Sequence, residues 1–173
     1  MTTNVTLLIA AILLLTAGFQ QAKPKSAQSD WIVFAPKDGG YSVKLPDKPI
    51  EVPLLHGTEE GQTVSTLYEL TREDVKYVVG YMNQPVSVEA ADRDRFLSMA
   101  AESGITSAGG TVIGNTAISL DGSPGREVTG KLKGFSYRSR VYLVGKRIYL
   151  LIVWLPSNDI DSQNAAKFSN PLK

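Results

Sequence analysis

The chain has 173 residues, 43% hydrophobic, 20% charged and 8% aromatic, with 15 glycines, 9 prolines, one histidine and no cysteine. Eighteen Lys/Arg against seventeen Asp/Glu leave a net charge of +1, so no global field draws it toward nucleic acid. The composition excludes collagen-like, disordered and coiled-coil classes. Absent cysteine excludes disulfide scaffolds, thiolate metal sites, cysteine nucleophiles and thioether lipid anchors, and a lone histidine excludes any site needing two.

Residues 1–22 carry no charged side chain, and every charge falls from Lys23 onward. Within them, Val5 to Phe19 reads VTLLIAAILLLTAGF. At about 1.5 Å per residue this run spans roughly 22 Å, short of the ~30 Å hydrocarbon core, and suits the apolar region of a signal peptide. Two features support the alternative of an uncleaved anchor: the leading MTTN has no Lys or Arg, and Lys23 and Lys25 follow the apolar run directly. Phe19 stands where a lipobox would require cysteine. Residues 23–30 form a polar linker, and residues 31–173 are the size of a single domain.

Period-2 and β-branched patterns dominate that domain. Trp31 to Phe34 and Tyr41 to Leu45 read as short strands around Asp38-Gly39-Gly40, the second ended by Pro46 and Pro49. Thr63 to Leu70 and Val75 to Met82 form the next pair. Ser87 is placed to cap a helix that carries Glu89 in its first turn and stops at Gly104, with Arg93, Phe96, Leu97, Met99 and Ala100 on its stripe. Thr111 to Leu120 and Arg126 to Leu132 flank a turn spanning Asp121 to Gly125. Phe135 to Val144 and Arg147 to Leu155 flank Gly145-Lys146, a two-residue hairpin signal. The last of these strands is apolar on both faces and is predicted to lie centrally with a layer on each side. A second helix is predicted from Ser157 or Asn158, with Asp159 and Asp161 at its positive end and Pro171 closing it. The predicted class is α+β, an antiparallel sheet flanked by two helices.

This order of elements resembles the PsbP-like fold, an α/β/α sandwich found in many exported bacterial proteins. The resemblance rests on Phe34-Ala35-Pro36, Gly40 to Pro46, Tyr77 to Tyr81, Gly122 to Glu127, Arg140 to Gly145 and Ala166-Lys167-Phe168. It implies a binding scaffold more than a catalyst, since the fold includes a photosystem accessory subunit and a small GTPase-binding protein. It implies no set of functional residues.

Chemistry-bearing motifs are sparse. His56 sits in a predicted loop, Val52 to Gly57, with no partner fixed by spacing, and no Gly-x-Ser-x-Gly elbow is present. Asp159-x-Asp161-x-Gln163 begins like a calcium loop but has Asn164 in place of the turn glycine and Asn170 in place of the closing glutamate. Gly122 to Glu127 is followed by a strand, unlike a phosphate cradle, which opens a helix. No cofactor or metal is expected. Charge is the most informative pattern. From Glu51 to Ile105 ten acids oppose four bases, whereas from Gly122 to Leu150 seven bases oppose Glu127 alone. Strand parity groups Arg138 with Arg140 and Lys131 with Lys133, so that with Arg126 and Arg147 they are a candidate basic patch for an anionic partner.

The functional expectation is an exported, periplasmic or extracellular, non-catalytic binding or accessory domain. Its partner is a protein or an anionic envelope component; nucleic acid is excluded. The alternative is a small-ligand binder or hydrolase with a sheet–helix pocket, His56 or Arg126 at its rim.

Overall fold

The computed structural model describes residues 31–58, 61–84, 87–156 and Phe168, with backbone alone at 54–58 and 61–64. The strands are β1 (Ile32–Phe34), β2 (Val43–Leu45), β3 (Ile50–Thr58), β4 (Gly61–Arg72), β5 (Val75–Asn83), β6 (Thr111–Leu120), β7 (Ser123–Leu132), β8 (Phe135–Val144) and β9 (Arg147–Pro156). One helix, α1 (Arg93–Ser107), lies between β5 and β6. Seven strands form an antiparallel sheet in the order β3-β4-β5-β9-β8-β7-β6, and β1 and β2 form a separate hairpin-like pair.

The expected α+β sheet flanked by two helices is therefore corrected: the described residues are mostly strand and hold one helix, α1. The second helix, the 1–22 leader and the 23–30 linker lie outside the described residues. The position predicted for β9 is the one observed, between β5 and β8. Its central placement agrees with apolar side chains on both of its faces, since a central strand has both rows covered.

Tight turns explain the meander from β6 to β9. Asp121 and Gly122 both have positive φ, 47° and 79°, so two residues reverse the chain and β7 begins at Ser123, before the predicted Arg126. Glu73 and Asp74 do the same between β4 and β5, at φ 50° and 66°. β3 is a strand where a loop was predicted for Val52 to Gly57. Pro53 is compatible with it because β3 is an outer strand, whose free side needs no N–H donor.

α1 also departs from its predicted bounds. Its N-cap is Asp92 and not Ser87, and no side-chain bond caps it. It runs through Gly104 and ends three residues later. The stop is supplied by Gly109 at φ 77°, whose N–H donates to Thr106 O at 3.0 Å, while the Gly110 N–H donates to Ile105 O at 2.9 Å. Gly104 serves packing instead: a Cβ there would lie 2.6 Å from the Tyr137 hydroxyl.

Directly paired residues share a face, so the ladders sort the sheet into two sides. One side bears Val128, Tyr137, Val141, Leu143 and Ile148, covered by Leu97, Ala101 and Ile105 of α1. The other bears Tyr77, Val79, Tyr81, Tyr142, Leu151 and Val153, covered by Tyr41, Val43 and Leu45 around β2 and by Phe168. The second cluster is aromatic and edge-on, with Trp31 against Tyr77 at 5.8 Å, Tyr77 against Phe168 at 5.3 Å and Tyr41 against Tyr149 at 5.7 Å between ring centroids.

Candidate functional site

The two covers are offset. α1 packs on β7, β8 and β6, so on its side of the sheet the strands β9, β5 and β4 run on beyond it. Between the flank of α1 and these strands lies an apolar groove of about 430 Å³. Leu67, Met82, Leu150 and Ile152 form its floor, and Phe96 and Met99 of α1 form its wall. Its remaining polar lining among the described residues is Ser65, Gln84, Ser103 and Ser139, none of them titratable. Beyond Ile152 along the same face of β9, a wider hollow of about 680 Å³ opens against Trp154, Leu132 and Phe135, with Asp74 and Lys76 in its wall.

The groove floor follows from the sequence by parity. β9 alternates Ile148, Leu150, Ile152 and Trp154 toward α1 with Leu151, Val153 and Leu155 away from it. The second set is covered, whereas Leu150, Ile152 and Trp154 stay partly exposed.

The predicted basic residues separate. Arg126 and Glu127 point to opposite faces of β7, as alternation requires. Arg126 turns toward α1, where its guanidinium forms a bidentate pair with the Asp94 carboxylate, Nε to Oδ1 at 3.1 Å, and reaches Asn115 Oδ1 at 3.4 Å. Asn115 Nδ2 in turn donates to Ser98 Oγ and to Glu102 Oε1, both at 2.6 Å. This network clamps α1 to β6 and β7, on the flank away from the groove. A carboxylate beside a serine there has no histidine to complete a nucleophile, and each group is engaged by its neighbours.

On the opposite face, Arg140 lies directly across from Glu127 and pairs with it, Nε to Oε2 at 2.5 Å. Arg138 and Lys131 share that face. Lys133 sits in the exposed β7–β8 turn. Arg147 stands at the far end of β9, where it binds the Asp38 and Gly39 carbonyls at 3.1 and 3.0 Å, Asn83 Oδ1 at 2.8 Å and the Tyr81 ring face at 4.6 Å. Arg138, Arg140 and Lys131 are thus brought together. Arg126 goes to the other side, and Arg147 becomes an anchor for the turn before β2. The His56 backbone lies in β3, and its side chain is outside the described set.

Burial raises the tyrosine hydroxyls on both sides. Tyr77 and Tyr137 are pushed up to about 12, and Tyr41 rises further, desolvation being the main cause in each. Tyr41 Oη is buried and has no hydrogen-bond partner among the described residues. No group of three His, Cys, Asp or Glu able to hold a metal occurs among the described residues, and no described helix is long and apolar enough to cross a membrane.

No protein-family model and no curated protein matches this chain. A solved structure does: the solution structure of cyanobacterial PsbP (CyanoP) from Synechocystis sp. PCC 6803, with a TM-score of 0.55 at 12% identity, covering 86% of this chain and 95% of that one. The chain has a PsbP-like fold. At that identity the PsbP likeness speaks to architecture alone. Sequence reading allowed for a sheet–helix pocket but not for this lining, because periodicity shows which side chains share a face but not where a cover ends. The available signal was β9, apolar on both faces.

Proposed function

We propose that this chain is an exported, non-catalytic binding domain of the cell envelope, and that it seats an amphipathic helical segment of a partner protein in the groove beside α1. The groove's lining carries the reading: it is apolar and open along one wall, and the described side chains that line it include no titratable group. Arg126 lies on the far flank of α1, away from the groove. Strands spaced about 4.8 Å apart leave some 14 Å of sheet beside α1 across β9, β5 and β4, enough for a helix about 10 Å across packed 8–10 Å from its neighbour. Ala100, Ser103 and Gly104 keep the facing flank of α1 low, which allows that close approach. The uncharged, apolar run Val5 to Phe19 supports delivery across a membrane.

Fluorescence titration of the protein with an anilinonaphthalene dye and with a labelled Leu/Gln amphipathic peptide tests the groove. Saturable binding is expected that survives ionic strength near 1 M, where the Debye length is about 3 Å. Met99→Asp, at a rim position 61% exposed and so tolerant of change, is expected to abolish it. Binding that ignores Met99→Asp sinks the groove reading. If only Arg138→Glu/Arg140→Glu changes behaviour, and does so as lost binding to anionic vesicles, the cationic face of β7–β8 is the partner surface instead.

A further inference from the structure

The two edges of the seven-stranded sheet are built differently. β3, at one edge, carries the exposed charge of Glu51 and an exposed proline, Pro53, both devices that blunt strand-to-strand association. β6, at the other edge, reads TVIGNTAISL, with no charge and no proline. Thr111, Ile113, Thr116, Ala117 and Ser119 are exposed along it. Its single irregularity is a bulge between Val112 and Gly114 that leaves Ile113 56% exposed. From Gly114 to Leu120 it pairs residue for residue with β7, from Thr129 to Ser123, so its outer row of N–H and C=O groups is regular. No described strand pairs with that row.

We propose that β6 pairs antiparallel with β6 of a second copy of this chain, about a two-fold axis normal to the sheet at Ala117, joining two sheets into one. The occupant is a second copy because the regular run fits itself. It is bounded by the bulge at one end and by the Asp121–Gly122 turn at the other, and its midpoint is Ala117. An axis there sets Ala117 opposite Ala117 of the partner subunit, Thr116 opposite Ile118 of the partner subunit, and Gly114 opposite Leu120 of the partner subunit. The whole run is used and no pair is overhung. Neutral meets neutral, so no like charges face each other across the seam, and the contact closes on itself as a two-fold interface must. α1 packs chiefly on β7, which leaves the seam clear. Its acidic flank is already engaged, Asp94 by Arg126 and Glu102 by Asn115.

The test uses protein expressed from the full chain. Because the chain has no cysteine, Ala117→Cys introduces a single thiol, expected to give a covalent dimer on mild oxidation or with a short thiol crosslinker. Ile50→Cys, on the β3 edge and 68% exposed, is expected to stay monomeric. Light scattering is expected to read twice the chain mass at micromolar concentrations. Ala117→Glu places two carboxylates together at the axis, yet faces Arg126 across the ladder within its own subunit. It is expected to keep the circular dichroism spectrum and melting temperature while weakening the dimer about tenfold. A monomer mass up to several hundred micromolar overturns the proposal. So does crosslinking by Ala117→Cys no greater than by Ile50→Cys, crosslinking to a different protein, or open-ended aggregates in place of a closed dimer.

Discussion

The two sides of the sheet achieve the same closure by different chemistry. Around β1 and β2, two strands of three residues each hold their place because rings do the covering: Trp31, Phe34 and Tyr41 meet Tyr77, Tyr68, Tyr81 and Tyr149. A ring buries 150–250 Å², so few residues suffice. On the other side, fifteen residues of α1 deliver only Leu97, Ala101 and Ile105 to full burial. Closure there depends on shape, with glycines giving way to larger neighbours. A Cβ on Gly130 would lie 2.9 Å from Ile105 Cγ1, and one on Gly104 would lie 2.6 Å from Tyr137 Oη. One side is sensitive to loss of ring area and the other to added volume, while both hold buried tyrosines that resist ionisation.

Removing a ring is the largest expected insult. Tyr77→Ala strips both Trp31 and Phe168 of a partner and is expected to cost about 3–5 kcal/mol in urea unfolding. If it costs under 1 kcal/mol, the aromatic account of that side fails.

Alkaline pH comes next. In the unfolded chain tyrosine ionises near 10, whereas burial holds Tyr77 and Tyr137 protonated up to about 12. The folded state therefore keeps protons that unfolding releases. Stability from these groups is full below pH 10 and declines as pH rises from 10 toward 12, by about 1.4 kcal/mol per tyrosine per pH unit. Urea midpoints taken at pH 8, 10 and 11, paired with tyrosinate absorbance, check the sign; a flat profile contradicts it.

Gly104→Ala sharpens the contrast on the α1 side. In an exposed helix this change stabilises by roughly 1 kcal/mol, but the clash with the buried Tyr137 hydroxyl is expected to reverse the sign, costing about 1–3 kcal/mol. Adding Tyr137→Phe, which removes the clashing oxygen, is expected to restore most of the loss in a double-mutant cycle. Full additivity would refute the contact.

Two smaller effects close the series. Tyr41→Phe removes a buried hydroxyl without a described partner and is expected to raise stability by about 1 kcal/mol at neutral pH. Asp94→Asn breaks the ion pair with Arg126, but Asp94 is 73% exposed. Its cost is expected to stay under about 1 kcal/mol and to shrink as salt is added.

Strand parity and turn chemistry made much of the sheet legible. β6 and β8 run as predicted because glycine-bearing turns bracket uninterrupted alternation, and β9 is central because both its rows are apolar. β3 was hidden by Pro53, which penalises a strand everywhere except on an edge, and edge position is a tertiary property. α1 was misbounded because Ser87 and Gly104 are sound local start and stop signals, yet neither has the required role: Asp92 takes the cap position and Gly104 is reserved for Tyr137. The flanking-helix architecture was overdrawn relative to the strand-rich body observed. Among the basic residues, spacing grouped Arg138 with Arg140 correctly on one face. It had no means of foreseeing that Arg126 engages Asp94, 32 positions away, or that Arg147 serves the turn before β2, over 100 positions away.

The register between β5 and β9 sets the order in which the molecule is completed. Asn83 meets Arg147 and Lys76 meets Trp154, so the middle of the sheet is zipped by the last strand of the described body. Until that strand leaves the ribosome, only β3–β5 and the growing meander are able to pair locally, and each half shows an unfinished margin. Such a late keystone keeps the nascent polypeptide loose for most of its synthesis.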